Sequence, residues 1–134
     1  MPRGQYSGVT DLKVRLEAPE FAGQRERLQY SVVVENEGDS TIEAHLQGRE
    51  PVHDLTVTGN GGEIVWRRLK GEVSQAILRI DMLAPGESLR IEGEWDQRDS
   101  AGHYVDPGFY TLQATVPTDS APLISQDCLL QITD

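Results

Sequence analysis

The chain carries a single cysteine, Cys128, among its 134 residues, which excludes an internal disulfide framework. No run approaches the roughly 18 consecutive apolar residues that a membrane-spanning helix needs. The opening residues, MPRGQYSG, hold no apolar stretch that could form a signal-peptide core. Basic residues are scarce: 12 Lys and Arg stand against 22 Asp and Glu, a net charge of −10. That balance argues against nucleic acid or an anionic membrane as partner. No window holds a convincing helical period. The expectation is a soluble, reduced, cytoplasmic protein, long enough to bury a real core without covalent staples.

What the sequence does contain is alternation. Leu12, Val14 and Leu16 alternate with Lys13, Arg15 and Glu17, and Leu28, Tyr30, Val32 and Val34 with Gln29, Ser31 and Glu35. Between these runs Pro19 and Gly23 bracket a turn, with Phe21 expected to plug the core. Asn36-Glu37-Gly38-Asp39 reads as a turn, followed by a shorter strand through Ile42, Ala44 and Leu46. A strand over residues 52–58, with Leu55 and Val57 its surest members, leads to Asn60-Gly61, a strong hairpin signal. The return strand is expected over residues 63–68, with Ile64 and Trp66 on one face. Ala76, Leu78, Ile80 and Met82 then share a face, as do Ile124, Cys128, Leu130 and Ile132 in the last apolar run. About nine short strands, with turn signals every 8–12 residues, predict an all-β immunoglobulin-like antiparallel β-sandwich of about 7–9 strands. Residues 1–8 read as a flexible arm and residues 9–134 as a single domain.

The most informative segment runs from Glu87 to Val116. Leu89, Ile91, Gly93 and Trp95 alternate with Arg90, Glu92 and Glu94, and Tyr110, Leu112, Ala114 and Val116 share a face of the next strand. Between the two lies a polar loop, residues 96–106, closed by Pro107-Gly108. A tyrosine just inside a late strand resembles the tyrosine corner of immunoglobulin-like sandwiches.

Taken in order, these features resemble the BsuPI family of intracellular proteinase inhibitors. Asn36-Glu37-Gly38-Asp39 is similar to its Asn-x-Gly/Ser-Asp turn, Gly62 to Arg67 to its "dGkevWrw" segment, and Leu83 to Leu89 to its "LkPGEsl" turn. The most specific match runs from Trp95 to Gly102 and on through Val105, Pro107-Gly108 and Tyr110, resembling "WDqrdn-G-v-pG-Y". Two departures stand out. His45-Leu46-Gln47-Gly48-Arg49 replaces the usual Phe-x-Ser/Thr-Gly-Gln, and Val73 stands where the family's "mFtQal" segment has its aromatic. The resemblance implies a non-enzymatic protein with no cofactor, whose partner is a protein, an intracellular subtilisin-like serine proteinase. A generic immunoglobulin-like interaction module without inhibitory activity is the alternative.

Other chemistry has weaker support. His45, His53 and His103, with Asp54, Asp99 or Asp106 and Ser100, permit a hydrolase triad on paper, but no nucleophile-elbow Gly-x-Ser-x-Gly exists. Asp96, Asp99 and Asp106 around Gly102 miss calcium-loop spacing, and no Cys/His pairing suits zinc, so no metal is expected. The partner-binding loop is therefore assigned to Arg98, Asp99, His103, Tyr104 and Val105, pinned at its ends by Asp96 and Pro107-Gly108. A second candidate contact is the segment over residues 67–75, where the strand pattern lapses. Trp66, Trp95, Asp96, Gly108 and Tyr110 are assigned to core and corner. Cys128 is read as a small buried hydrophobe.

Overall fold

The computed structural model describes residues 11–47, 52–69, 78–118 and 121–134. The expected arm over residues 1–8, Gly48-Arg49, the Val73 region and most of the second candidate contact lie outside the described residues. Eleven strands follow in chain order: β1 (Leu12–Glu17), β2 (Phe21–Gly23), β3 (Leu28–Asn36), β4 (Ile42–Gln47), β5 (Asp54–Thr58), β6 (Ile64–Arg67), β7 (Leu78–Leu83), β8 (Ser88–Trp95), β9 (Gly108–Val116), β10 (Leu123–Ile124) and β11 (Cys128–Thr133). Nine of them have four residues or more, and β2 and β10 are short additions.

One sheet runs β1-β3-β8 and a second β2-β11-β9-β5-β6, with β10 also on β9; β4 and β7 form a separate ladder. All pairings are antiparallel except the short parallel contact of β2 with β11. Inward alternation supplies the core: Leu28, Val32, Val34, Leu55, Val57, Trp95, Leu112, Ala114 and Leu130 are all fully buried. Each large side chain among them contributes about 1.5–3 kcal/mol by leaving water. Val33 points the other way yet is equally buried. Its ladder partners are Arg15 and Arg90, whose aliphatic stems shield it beneath ion pairs to Glu35 and Glu17.

Asn36 joins turns that are distant in sequence. Its Nδ2 donates to the carbonyls of Ser40 (2.8 Å) and Leu83 (2.9 Å), and its Oδ1 accepts from the Gly38 N–H. Its backbone bonds Glu87 and Gly86. Two of the sequence motifs that resemble the family, the Asn36 turn and the Pro85-Gly86 turn, thus meet directly.

Several expected placements differ. Phe21 is not a plug: it is 63 % exposed, because β2 is an edge strand that turns this side chain outward. In β7 the inward face belongs to Arg79, Asp81 and Leu83, which pair with Leu46, Ala44 and Ile42, so Ile80 and Met82 face solvent. Arg79 and Asp81 form an ion pair there at 2.7 Å. Ile64 and Trp66 do not share a face, since Val57 pairs Trp66 while Thr58 pairs Ile64, leaving Val65 as a bulge residue. One inserted residue turns Ile64 out to solvent. Ile124 is exposed as well. The last run breaks into β10 and β11, and buried Ser125 spans the gap by accepting the Ala114 N–H at its Oγ, 2.9 Å.

Candidate partner-binding loop

The loop over residues 96–106 is a miniature hairpin that lies against the body. Arg98 and Tyr104 form a β-bridge, and the Asp99 N–H donates to the His103 carbonyl at 2.8 Å. Asp99 closes the tip: its Oδ1 accepts N–H groups of Ala101 (3.0 Å) and His103 (2.9 Å). These bonds, that from His103 foremost, hold the Asp99 carboxyl below its ordinary pKa. Gly102 sits at φ 90°, a conformation glycine adopts without strain, and its N–H donates to the Asp99 carbonyl. These closures fold the polar loop into a turn.

Several residues anchor the loop. Trp95 is fully buried and its Nε1 donates to the Arg98 carbonyl at 2.9 Å. Asp96 Oδ1 accepts the Arg98 N–H, shaping the first turn. Ser100 donates its N–H to the carbonyl of Val65, the bulge residue of β6, which ties the loop to the edge of the second sheet. Tyr110 Oη donates to the Asp106 carbonyl at 2.6 Å, the geometry of a tyrosine corner. Gly108, at φ 150°, makes the corner itself.

Beneath the loop three aromatic rings pack together. Trp66 stacks on Trp95 at 6.0 Å between centroids, and Trp95 meets Tyr110 edge-on at 6.4 Å. Trp66 is only partly buried, at the margin of the core rather than inside it. A groove of 420 Å³ between loop and hairpin is lined by residues that include Ile64, Ser100, Tyr104, Asp106 and Tyr110.

Of the expected contact residues, Arg98, His103 and Tyr104 are exposed and Asp99 is half-buried in its capping role. Val105 differs: it is 8 % exposed and belongs to the core cluster, because the returning arm of the hairpin turns it inward. It anchors the loop and offers no contact surface. Sequence reasoning overlooked Gln97 and Arg25. Gln97 is fully buried at φ 65°; its Oε1 accepts the Arg25 N–H (2.9 Å) and its Nε2 donates to the Gly23 carbonyl (2.8 Å). A glutamine flanked by charged residues gives no sequence signal for burial, since only the turn over residues 23–26 supplies its partners.

The three histidines are dispersed. His53 is buried and shares a 2.7 Å hydrogen bond with Tyr30 Oη, His45 lies beside Glu43 on β4, and His103 is at the loop tip. Burial pushes the His53 imidazole down to about 4, with the Arg68 charge adding to it, and raises the Tyr30 phenol to about 12. Ser100 Oγ donates to the Val65 carbonyl, not to a histidine. Among the described residues, no group of three or more His, Cys, Asp and Glu side chains could hold a metal ion. Cys128 is partly buried, its thiol donating to the Leu16 carbonyl and its pKa raised by burial. No helix among the described residues is long and apolar enough to cross a membrane.

Among solved structures, the sporulation control protein Spo0M from Bacillus subtilis matches 92 % of this chain over 50 % of its own, with 11 % identity and a TM-score of 0.53. The alkylpurine DNA glycosylase AlkC from Pseudomonas fluorescens matches 92 % of this chain over 31 % of its own, with 15 % identity and a TM-score of 0.50. The CARDB domain of PF1109 from Pyrococcus furiosus covers 92 % of this chain and 94 % of itself, at 18 % identity and a TM-score of 0.48. At such identities the first two matches bear on the fold alone. No curated protein matches the chain in sequence. The profile of the BsuPI family, described as intracellular proteinase inhibitor, matches residues 16–121, and the chain belongs to that family.

Proposed function

We propose that the chain is a non-enzymatic cytoplasmic protein that inhibits a subtilisin-like serine proteinase, docking through the loop over residues 96–106. The observation that carries this reading is the set of hydrogen bonds that folds and anchors that loop. Asp99 caps it, Gln97 and Trp95 hold its base, and Tyr110 holds its end. A loop already folded loses little entropy when it meets a partner, so its contact energy goes into affinity. Mixing the protein with an intracellular subtilisin and measuring residual peptidase activity tests the reading. Inhibition should be stoichiometric and weakened by Asp99→Ala, which releases the tip. Full proteinase activity at large molar excess of the protein would refute it for that enzyme.

One feature favours the alternative of an interaction module without inhibitory activity. The hairpin is closed by the Arg98–Tyr104 bridge and does not present an extended, substrate-like segment to a cleft. In that case a proteinase would bind at a surface away from its cleft, or the partner would be another protein. Recovery of a complex whose proteinase stays fully active would favour this second reading.

A further inference from the structure

We infer that Arg25, Tyr104 and Arg98 form a recognition surface for a carboxylate-bearing segment of a protein partner. Arg25 lies in the turn between β2 and β3, at φ 68°, and Gln97 locks that turn to the loop. The Arg25 guanidinium carbon stands 5.1 Å from the Tyr104 ring centroid, and that of Arg98 stands 4.6 Å from it. Arg98 Nη2 also donates to Tyr104 Oη at 3.2 Å. Two cations therefore converge on one ring that is 41 % exposed, in a chain whose net charge is −10.

Three nearby carboxylates are committed elsewhere. Glu26 accepts the Gly23 N–H, Glu94 pairs with Arg27, and Asp99 caps the loop tip. Asp96 accepts the Arg98 N–H and forms a long ion pair with Arg98 Nε at 3.8 Å. Among the described residues Arg25 makes no ion pair. Contact with the aromatic face leaves the fork of N–H donors at the edge of the Arg25 guanidinium open, and that fork matches a carboxylate, while Arg98 adds its charge beside it. An incoming carboxylate would also relieve the repulsion between the two cations. Arginine and tyrosine are, in addition, the residue types enriched where interfaces gain most of their energy. At physiological ionic strength the field of the remaining acidic surface is screened within about 8 Å, so it does not bar a partner that touches these three residues directly.

The inference deepens the loop-docking reading and rests on it for the choice of surface, but its test uses no proteinase, so the two fail separately. The ¹⁵N-labelled protein is titrated with a blocked peptide of alternating Glu and Asp at physiological salt. Amide shifts should concentrate at Arg25, Arg98, His103 and Tyr104, and a blocked lysine peptide should leave those amides unmoved. The double variant Arg25→Gln/Arg98→Gln should bind the acidic peptide about tenfold more weakly. Only side chains change in that variant, so the backbone bonds of both positions remain; Arg25→Lys/Arg98→Lys, which keeps the charge but not the fork, should give an intermediate loss. Shifts confined to other surfaces, equal binding by the double variant, or the same shifts from inorganic phosphate at equal concentration would overturn the proposal.

Discussion

The hydroxyl of Tyr110 donates to the carbonyl of Asp106 at 2.6 Å and so fastens the returning arm of the 96–106 loop to strand β9. The bond is local in sequence yet closes the loop against the rigid sheet. Tyr110→Phe removes the donor and keeps the ring against Trp95. The expected cost is about 0.5–1.5 kcal/mol, a fall in Tm of a few degrees. Faster amide exchange at residues 97–106, with the β3 amides unchanged, would show that the loss is local; unchanged exchange in the loop would contradict this role.

Asn36 carries a larger share of stability. Asn36→Ala leaves the carbonyls of Ser40 and Leu83 and the N–H of Gly38 without their side-chain partner. Unfolding in urea should show a loss of about 2–4 kcal/mol. A loss below about 0.5 kcal/mol, the scale of ordinary surface substitutions, would mean that water replaces these bonds.

Gly93 lies opposite Tyr30 in the β3–β8 ladder, and the Tyr30 ring occupies the space above it. A Cβ at residue 93 would fall 2.3 Å from the Tyr30 Cζ. Tyr30 is buried and bonded to His53, so it has little room to yield. Gly93→Ala should destabilise by about 1–3 kcal/mol, in spite of alanine's smaller backbone entropy cost. Wild-type stability in thermal unfolding would show that the ring moves freely.

His53 should make the protein acid-sensitive. Its folded pKa of about 4 lies below the ordinary 6.5, so the unfolded chain takes up a proton first as pH falls. Its contribution is complete above pH 6.5 and is lost between 6.5 and 4, on the order of 3 kcal/mol. Tyr30 from β3, Asp54 at the start of β5 and Arg68 beyond β6 are the groups that face it. His53→Gln should flatten this limb of the stability profile. An unchanged acid limb in the variant would assign the sensitivity to carboxylates instead.

Much of the fold can be read from alternation, because a half-buried strand must place apolar groups on every second residue. β8 and β9 follow that rule throughout and β3 departs from it at Val33, and Trp95 and Leu112 are buried as it predicts. The rule fails where another feature resets the register. Val65 bulges and frees Ile64, Ser125 splits the last strand and frees Ile124, and the β4 ladder turns Ile80 and Met82 outward. At the loop, the tyrosine corner is visible as Pro-Gly-x-Tyr, and Arg98, His103 and Tyr104 are recognisable as exposed.

The order of extended segments, their turns and the position of the long loop were determined by the sequence itself, since alternation and turn chemistry act within a few residues. Only the tertiary structure decided that Gln97 is a buried brace, that Val105 points inward, and that Arg25 joins Arg98 over Tyr104. The meetings of Arg25 with Gln97 and with the loop join residues 72 or more positions apart that come together when the two sheets close. No local pattern of size, charge or period encodes such a meeting.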